Sequence, residues 1–148
     1  MEQTYIILHH SLTKDSDTVS WGAIRDYHLG LGWDDIGYHF GIEEVGDYVE
    51  TFLGRLPDES GAHCKEAGMN HKSIGICLVG NFDFAPPGEK IWEKAVELVS
   101  WLCEIYKIDP INVRAHRSYA SYKTCPGRLF DISKFRQNVK MKLSVGYW

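Results

Sequence analysis

Ile74-Gly75-Ile76-Cys77-Leu78-Val79-Gly80 is the stretch of sequence that decides the fold. None of its positions carries a charged or strongly polar side chain, so the segment does not alternate between a buried and an exposed face. A short apolar run of this kind is typical of a strand that is covered on both sides. The segment therefore predicts the central strand of a sheet with both faces buried.

Four shorter β-rich runs predict the remaining strands. They cover residues 4–8, 38–42, 48–52 and 112–115. The second and third runs are joined by Glu43-Glu44-Val45-Gly46-Asp47, which contains glycine and is interpreted as a hairpin turn. Residues 53–73 are rich in Gly, Pro, Asp, Asn and His and lack clear periodicity, which indicates a long loop that is either functional or disordered.

Three helices are predicted from apolar residues that recur at helical spacing. The first starts near Thr18, takes Ser16, Asp17 or Thr18 as its N-cap, and stops at Gly30 and Gly32. The others run from Pro86-Pro87-Gly88 to Tyr106 and from Asp131 to Leu143. The mixture predicts an α/β fold in which a mixed central sheet of about five strands is flanked on both faces by three main helices.

Size and composition limit the class of protein. The 148 residues suit a single domain, which we assign to residues 1–148, and we expect a monomer. The formal net charge is −4, and 44% of residues are hydrophobic, which argues against a disordered chain and against a dedicated nucleic-acid binder. No stretch approaches the roughly 20 apolar residues of a membrane span.

The N-terminus and the cysteines bear on the compartment. Residues 1–10 lack the basic start, apolar run and cleavage site of a secretory signal peptide, so we expect either a chain made in the cytoplasm without a signal peptide or a mature fragment. The four cysteines are too sparse for a disulfide scaffold, and reduced thiols are the expectation. Cys77 and Cys103 lie in apolar segments and are interpreted as small buried hydrophobes, whereas turn-forming residues surround Cys125.

Common catalytic motifs are absent. The sequence contains no GxxxxGK[ST], GxGxxG, HExxH or GxSxG. What remains is a set of metal-binding residue types at predicted strand ends: His9 and His10 close the first strand, His116 closes the fifth, and Cys125 follows in a loop. Two imidazoles and a thiolate would leave zinc one open position, as in catalytic sites. The competing interpretation is that the histidines are surface or capping residues.

Five blocks of the chain, taken together, resemble a known family. In order they are Ile7-Leu8-His9-His10-Ser11, Gly32-Trp33-Asp34-Asp35-Ile36-Gly37-Tyr38-His39-Phe40, Gly61-Ala62-His63, Asn70-His71-Lys72-Ser73-Ile74-Gly75-Ile76-Cys77-Leu78-Val79-Gly80, and Arg114-Ala115-His116-Arg117 with Lys123-Thr124-Cys125-Pro126-Gly127. The pattern is similar to the zinc-dependent N-acetylmuramoyl-L-alanine amidases of phage endolysins, with the animal peptidoglycan recognition proteins as relatives. The resemblance covers about residues 4–136.

The resemblance implies a set of site residues. One Zn²⁺ per chain would be held by His9, His116 and Cys125. Tyr38 would assist the attacking water, and Lys123 would stabilise the negative charge of the tetrahedral intermediate. His63 matches a substrate-groove histidine, Arg55 and Asn70 of the same loop are further expected substrate contacts, and Asn70 has a turn residue as its alternative. His10 and His39 are left as structural.

One departure from the family concerns the surroundings of His116. The loop from His116 to Cys125 is one residue longer than usual, and Ser118 and Tyr119 replace the acidic-apolar pair that commonly follows this His-Arg. Partners beyond the ligands orient them, so the group that orients His116 is not given by the resemblance.

The implied reaction is hydrolysis of the amide between N-acetylmuramic acid and L-alanine in peptidoglycan or a muropeptide, on the cell wall after release or export. One alternative is a non-catalytic peptidoglycan-binding module of the same fold. In the family such binders lose a zinc ligand, and all three ligand positions are filled here. The other alternative is a thiol hydrolase in which Cys125 is the nucleophile and a histidine the base.

Overall fold

The computed structural model describes residues 2–12 and 20–146. Its five strands are β1 (Tyr5–His10), β2 (Phe40–Val45), β3 (Tyr48–Leu53), β4 (Ser73–Leu78) and β5 (Val113–Ala115). Its three helices are α1 (Trp21–Gly30), α2 (Glu89–Tyr106) and α3 (Ile132–Val145). The strands form one sheet in the order β3-β2-β4-β1-β5. The predicted α/β architecture is thus confirmed.

Strand β4 lies at the centre of the sheet, as its sequence predicts. It pairs in parallel with β1 on one side and with β2 on the other, and all six of its residues are buried. β5 extends the parallel part beyond β1, and only the β2–β3 hairpin is antiparallel. Because β1, β4 and β5 are parallel, their carboxyl ends meet at one edge of the sheet.

One face of the sheet is the main hydrophobic core. Ile6 and Leu8 of β1 and Ile74, Ile76 and Leu78 of β4 all point to this face and are 0% exposed. Helices α2 and α3 cover it with the buried side chains Ile91, Ala95, Val99, Leu102, Phe135 and Val139. At about 25 cal/mol per Å² of buried apolar surface, this layer is the main source of stability.

The other face is covered by α1 and by the segment between β3 and β4. Trp21, the first residue of α1, packs with Ile36 and Cys77 in a separate cluster. Gly41 of β2 faces the Trp21 ring, and a Cβ at this position would overlap the ring. Since helices lie on both faces, the predicted layering is confirmed.

Three local predictions need correction. The N-cap of α1 is Ser20, whose side chain accepts from the Ala23 amide at 3.1 Å; the predicted caps Ser16, Asp17 and Thr18 lie outside the described residues. The hairpin pairing continues to Val45 and Tyr48, so the turn contains only Gly46, at φ +63°, and Asp47. The long loop is not wholly irregular, because a 3-10 helix occupies Glu66–His71.

Two global expectations concern membranes and thiols. Among the described residues, no helix is long and apolar enough to cross a membrane. Cys64, Cys77, Cys103 and Cys125 are all free.

Candidate metal centre and cleft

Two histidines meet where the parallel strands end. His9 lies near the carboxyl end of β1, opposite Cys77 of β4, and is 1% exposed. His116 follows the last residue of β5, the strand beside β1. The two imidazole centroids are 4.6 Å apart. Neighbouring parallel strands therefore juxtapose residues that are more than a hundred positions apart in the sequence.

Cys125 reaches this pair from the loop that follows β5. Its Sγ lies 3.6 Å from Nδ1 of His9 and accepts from the His10 backbone amide at 3.4 Å. The backbone amide of Arg117 donates to the Cys125 carbonyl at 2.8 Å, which ties the loop back to the end of the sheet. The ligand atoms of His9, His116 and Cys125 all lie within 4.8 Å of one another.

This donor set fits zinc. Two imidazoles and one thiolate are borderline-soft ligands, and three protein ligands leave a position for water or substrate. Two tetrahedral ligands at about 2.0 Å (N) and about 2.3 Å (S) from the ion are separated by roughly 3.6 Å. The observed Nδ1–Sγ distance between His9 and Cys125 is 3.6 Å. The residues present can therefore hold the ion that the family resemblance implies.

The other edge of His9 is held by His63. Nε2 of His9 lies 2.8 Å from Nδ1 of His63, and Nε2 of His63 lies 3.4 Å from the Ser73 hydroxyl, which donates to the Met69 carbonyl at 2.6 Å. With Nδ1 of His9 turned to Cys125, Nε2–H donates to His63 and the chain of bonds sets the tautomer of both rings. Such partners orient ligands.

The backbone of β4 makes room for this arrangement. The His63 ring lies directly over Gly75, where a Cβ would come within 2.5 Å of the ring atoms. Any side chain at this position would push His63 away from His9. Gly75 of β4 is therefore needed to place His63 in the site.

Burial keeps the imidazoles neutral. Desolvation lowers the pKa of His9 well below its ordinary value and that of His63 to about 3. Desolvation also lowers the pKa of His116, although Glu66 opposes the shift. Neutral imidazole is the form that binds a metal. Burial raises the pKa of the metal-free Cys125 thiol to about 12, so this thiol is not an activated nucleophile.

Tyr38 lies against His9. Their ring centroids are 5.1 Å apart, and the tyrosine also contacts Trp21 and His28. Burial, with the neighbouring Cys77 thiol, raises the pKa of Tyr38 well above 10. The phenol therefore stays protonated at neutral pH and is able to donate a hydrogen bond.

A cleft of about 450 Å³ opens beside the candidate metal ligands. It is lined by Trp33, Ala62, His63, Cys64, Lys65, Glu66, Asn70, His116, Tyr122 and Lys123. Lys123 is exposed, and its ammonium lies 5.9 Å from the centroid of the Tyr122 ring. The structure thus places Lys123 at the mouth of the cleft, with His116 and His63 in the same wall.

The other predicted substrate contacts bind their own chain. Arg55 donates to the carbonyls of Ile36 and Ser60 at 3.0 Å each. The Asn70 side-chain oxygen accepts from the amides of His63 and Cys64 at 2.7 Å each, which is the turn role left open above. Asn70 lines the cleft, whereas Arg55 is not among its lining residues, and the contact of either residue with substrate stays a prediction.

The two histidines left as structural have backbone partners. Nδ1 of His10 accepts from the Phe82 amide at 3.1 Å. Nδ1 of His39 accepts from the Gly75 amide at 2.9 Å, while its Nε2 donates to the Glu59 carbonyl at 2.7 Å. These bonds hold the histidines away from the three ligand atoms.

Two residues of the site were missed by sequence reasoning. Glu66 places a carboxylate oxygen 3.5 Å from Nε2 of His116. Arg117 donates to the carbonyls of Thr124 and Gly127, at 3.2 and 2.6 Å, and so supports the loop that carries Cys125. The adjacency of Arg117 to His116 was a usable signal, whereas nothing in the sequence connected Glu66 with a residue fifty positions away.

Known proteins are similar to this chain in sequence and fold. The profile of the family described as N-acetylmuramoyl-L-alanine amidase matches residues 1–128. The endolysin of Klebsiella phage KP32 is 44% identical over 137 residues, which cover 90% of this chain and 85% of the relative. Among solved structures, the N-acetylmuramoyl-L-alanine amidase LysC from Clostridium intestinale URNW is similar in fold, with a TM-score of 0.81, 24% identity, and coverage of 94% of this chain and 86% of that one. Wild-type PGRP-LB of Drosophila gives a TM-score of 0.71 at 33% identity, covering 87% of this chain and 78% of that one.

The family match spans most of the chain and includes His9, His116 and Cys125. The sheet and helices that carry these residues are those of a solved amidase. The chain therefore belongs to the N-acetylmuramoyl-L-alanine amidase family and is a hydrolase of the amide that joins N-acetylmuramic acid to L-alanine in peptidoglycan.

Proposed function

We propose that this amidase works with one Zn²⁺ held by His9, His116 and Cys125, and that Tyr38 and Lys123 are its catalytic side chains. The observation that carries the proposal is the convergence of the three ligand atoms within 4.8 Å of one another beside the cleft. When bound there, zinc supplies a Lewis acid that polarises the amide carbonyl and lowers the pKa of water toward about 7.

The buried ligands define one fixed side of the reaction centre. His9 is held in place by His63, which in turn contacts Ser73. Cys125 is held by two backbone amides, that of His10 at its Sγ and that of Arg117 at its carbonyl. Catalytic groups whose own positions are fixed in advance need no reorganisation during the reaction. The chain therefore presents the substrate carbonyl with a rigid ligand set.

Tyr38 is assigned an orienting role. As a protonated phenol beside His9 it can donate a hydrogen bond to the attacking water or to the developing oxyanion. It is not the base, because burial raises its pKa well above 10. A donor that meets charge only in the transition state lowers the barrier without tightening substrate binding.

Lys123 is assigned the charge-stabilising role. Its ammonium is at the mouth of the cleft that also contains His116 and His63. The side chain is exposed and can turn toward the bound amide. A cation facing the oxygen of a tetrahedral intermediate lowers the activation free energy by on the order of 3 kcal/mol.

The substrate is proposed to lie along the cleft. Its wall combines the aromatic ring of Trp33 with the polar groups of Asn70 and Lys123. We expect the muropeptide to enter here, with the scissile amide over the three ligands. The enzyme would act as a monomer on the cell wall after release or export.

One observation gives the thiol-hydrolase alternative some support, since a Cys–His contact of 3.6 Å resembles a nucleophile–base pair. The pKa directions oppose it. Burial raises the pKa of the Cys125 thiol to about 12 and lowers the pKa of His9. An activated thiolate needs the opposite, a lowered thiol pKa and a protonated imidazole nearby. Metal binding is the arrangement that stabilises the thiolate here.

Removal of the metal tests the proposal. We expect a strong chelator to abolish release of L-alanine-terminated peptide from a muropeptide, and stoichiometric zinc to restore it. Thiol alkylation of the metal-free protein should then prevent zinc from restoring activity, because Cys125 is a ligand. Cleavage that persists after metal analysis has verified removal would instead support the thiol-hydrolase alternative.

A further inference from the structure

A second group of metal-binding side chains lies on the cleft wall beside the first. Cys64, Glu66 and His116 bring their ligand atoms within 4.8 Å of one another. Cys64 and Glu66 belong to the segment at the start of the 3-10 helix Glu66–His71, and the cleft connects both to solvent. The group shares only His116 with the three ligands described above.

The distances within this group suit a shared ion better than direct bonds. Oε2 of Glu66 lies 3.6 Å from Sγ of Cys64 and 3.5 Å from Nε2 of His116. Tetrahedral ligands at about 2.0–2.3 Å from zinc are separated by roughly 3.3–3.8 Å. An N–O distance of 3.5 Å is too long for a good hydrogen bond, whose usual range ends near about 3.2 Å.

Nε2 of His116 has no hydrogen-bond partner although it is buried. His116 is 6% exposed, and this nitrogen faces the Glu66 carboxylate. Buried polar atoms are nearly always paired, so an unpaired one aimed at a carboxylate and a thiol points to a missing ligand.

Glu66 is held in position for this role. The Tyr122 hydroxyl donates to Oε1 of Glu66 at 2.6 Å, which leaves Oε2 directed at Cys64 and His116. Cys64 is 1% exposed, so its thiol has few alternatives to these neighbours. A thiolate, a carboxylate and an imidazole form a donor set for zinc and similar borderline-soft cations.

We propose that Cys64, Glu66 and His116 form a second, weaker zinc-class site whose occupation inhibits the enzyme. Binding releases two protons to solvent, one from the Cys64 thiol and one from the His116 imidazole, so that His116 ligates one ion through each of its nitrogens and Cys64 forms a metal–thiolate bond. The site is weaker because His116 serves both groups. Occupation of the second site inhibits because the ion fills part of the cleft and shares His116 with the first ion. Only this inhibitory effect rests on the proposed function.

Cobalt binding tests the site directly, because a Co²⁺–thiolate bond gives a charge-transfer absorption. In Cys125→Ser, which removes the thiolate of the first group, we expect a Co²⁺–thiolate band that disappears in Cys125→Ser/Cys64→Ala. Cys125→Ser/Cys103→Ala is the matched control and should keep the band, since Cys103 is buried in α2 away from the cleft. Circular dichroism would verify that each variant is folded.

Zinc stoichiometry provides a second test that does not require Cys125 to be altered. With zinc in excess we expect the unaltered protein to bind a second ion per chain, and Glu66→Gln to bind only the first. The ratio of activity at high zinc to activity at stoichiometric zinc should fall several-fold in the unaltered protein and stay near one in Cys64→Ala.

Three outcomes would overturn the proposal. The first is saturation of the unaltered protein at a single ion. The second is a cobalt–thiolate band that survives the loss of Cys64. The third is that Glu66→Gln lowers the affinity for the first ion about 10–100-fold and leaves binding of a second ion unchanged, which would make Glu66 a positioning residue for His116. Failure of the catalytic zinc assignment is separately visible, as undiminished first-ion binding in Cys125→Ser/Cys64→Ala.

Discussion

The two faces of the central sheet are built from the same strands but have different compositions. Along β1, Ile6 and Leu8 enter the apolar core, whereas Ile7 and His9 face the cleft side. Along β4, Ile74, Ile76 and Leu78 enter the core, whereas Gly75 and Cys77 face His63 and Trp21. Successive residues of a strand point to opposite faces, so one strand serves both purposes.

The difference between the faces is one of side-chain size as well as polarity. On the core side, large aliphatic groups meet α2 and α3. On the cleft side, Gly41 and Gly75 lie under the rings of Trp21 and His63 and leave space for them. The core face stabilises the sheet, and the cleft face uses the rigidity of the sheet to hold imidazoles against one another.

The largest effect should follow from a change on the cleft side. Cys125→Ser should abolish amidase activity and lower zinc content, because a hydroxyl replaces the thiolate that zinc favours. Cys103→Ala, on the core side, should keep both. Metal analysis of the purified variants, with a muropeptide digest, measures this. Full zinc occupancy in Cys125→Ser/Cys64→Ala, which lacks both thiols, would refute the ligand assignment.

Next in size is a cavity on the core side. Ile76 is 0% exposed and lies between Leu8 and Phe40 in the sheet. Ile76→Ala should lower the free energy of unfolding by about 2–5 kcal/mol, through lost burial and a residual cavity. Urea denaturation measures the loss. Zinc content per folded molecule should not change, and a selective loss of zinc would show that the two faces are not independent.

A smaller effect is expected for the two side chains that are not ligands. Tyr38→Phe and Lys123→Ala should each lower kcat on the order of 10²-fold while keeping zinc and fold, because each removes a transition-state donor. Steady-state kinetics and metal analysis separate the two readouts. If both variants keep near-normal rates, the catalytic roles assigned to Tyr38 and Lys123 are wrong.

The smallest effect concerns pH and the metal-free protein. The pKa of His63 is lowered by burial from 6.5 to about 3, so below pH 6.5 the unfolded chain binds a proton that the folded chain does not. Stability is therefore fully present above pH 6.5 and falls as pH drops toward about 3, by up to about 1.4 kcal/mol per pH unit for one such group.

Denaturant unfolding between pH 7 and 5, with chelator present, measures this slope before most carboxylates titrate. The neighbouring His39, whose pKa is also lowered by burial, adds to it. His63→Gln should flatten the slope. Equal slopes in the two proteins would mean that His63 is not held neutral.

Local sequence patterns were enough to predict the layers of the fold. The unbroken apolar run at residues 74–80 predicts a central strand, because both of its faces must be covered. Periodicity predicts α2 and α3 because each has one apolar face. The cap of α1 was missed, since several polar residues precede that helix and the sequence does not distinguish them; in the described residues, the Ser20 side chain accepts from the Ala23 amide.

The candidate ligand types and their strand-end positions were also predicted from the sequence, and the family resemblance favours His9 over His10 as a ligand. The pairing of Glu66 with His116 and of His9 with His63 was not readable. Strand and helix propensities depend on near neighbours in the chain, whereas these contacts depend on which strands pair and on how the 53–73 segment crosses the sheet. The residue types of the candidate metal centre were therefore determined by local sequence, and the partners that orient them were decided by packing between distant segments.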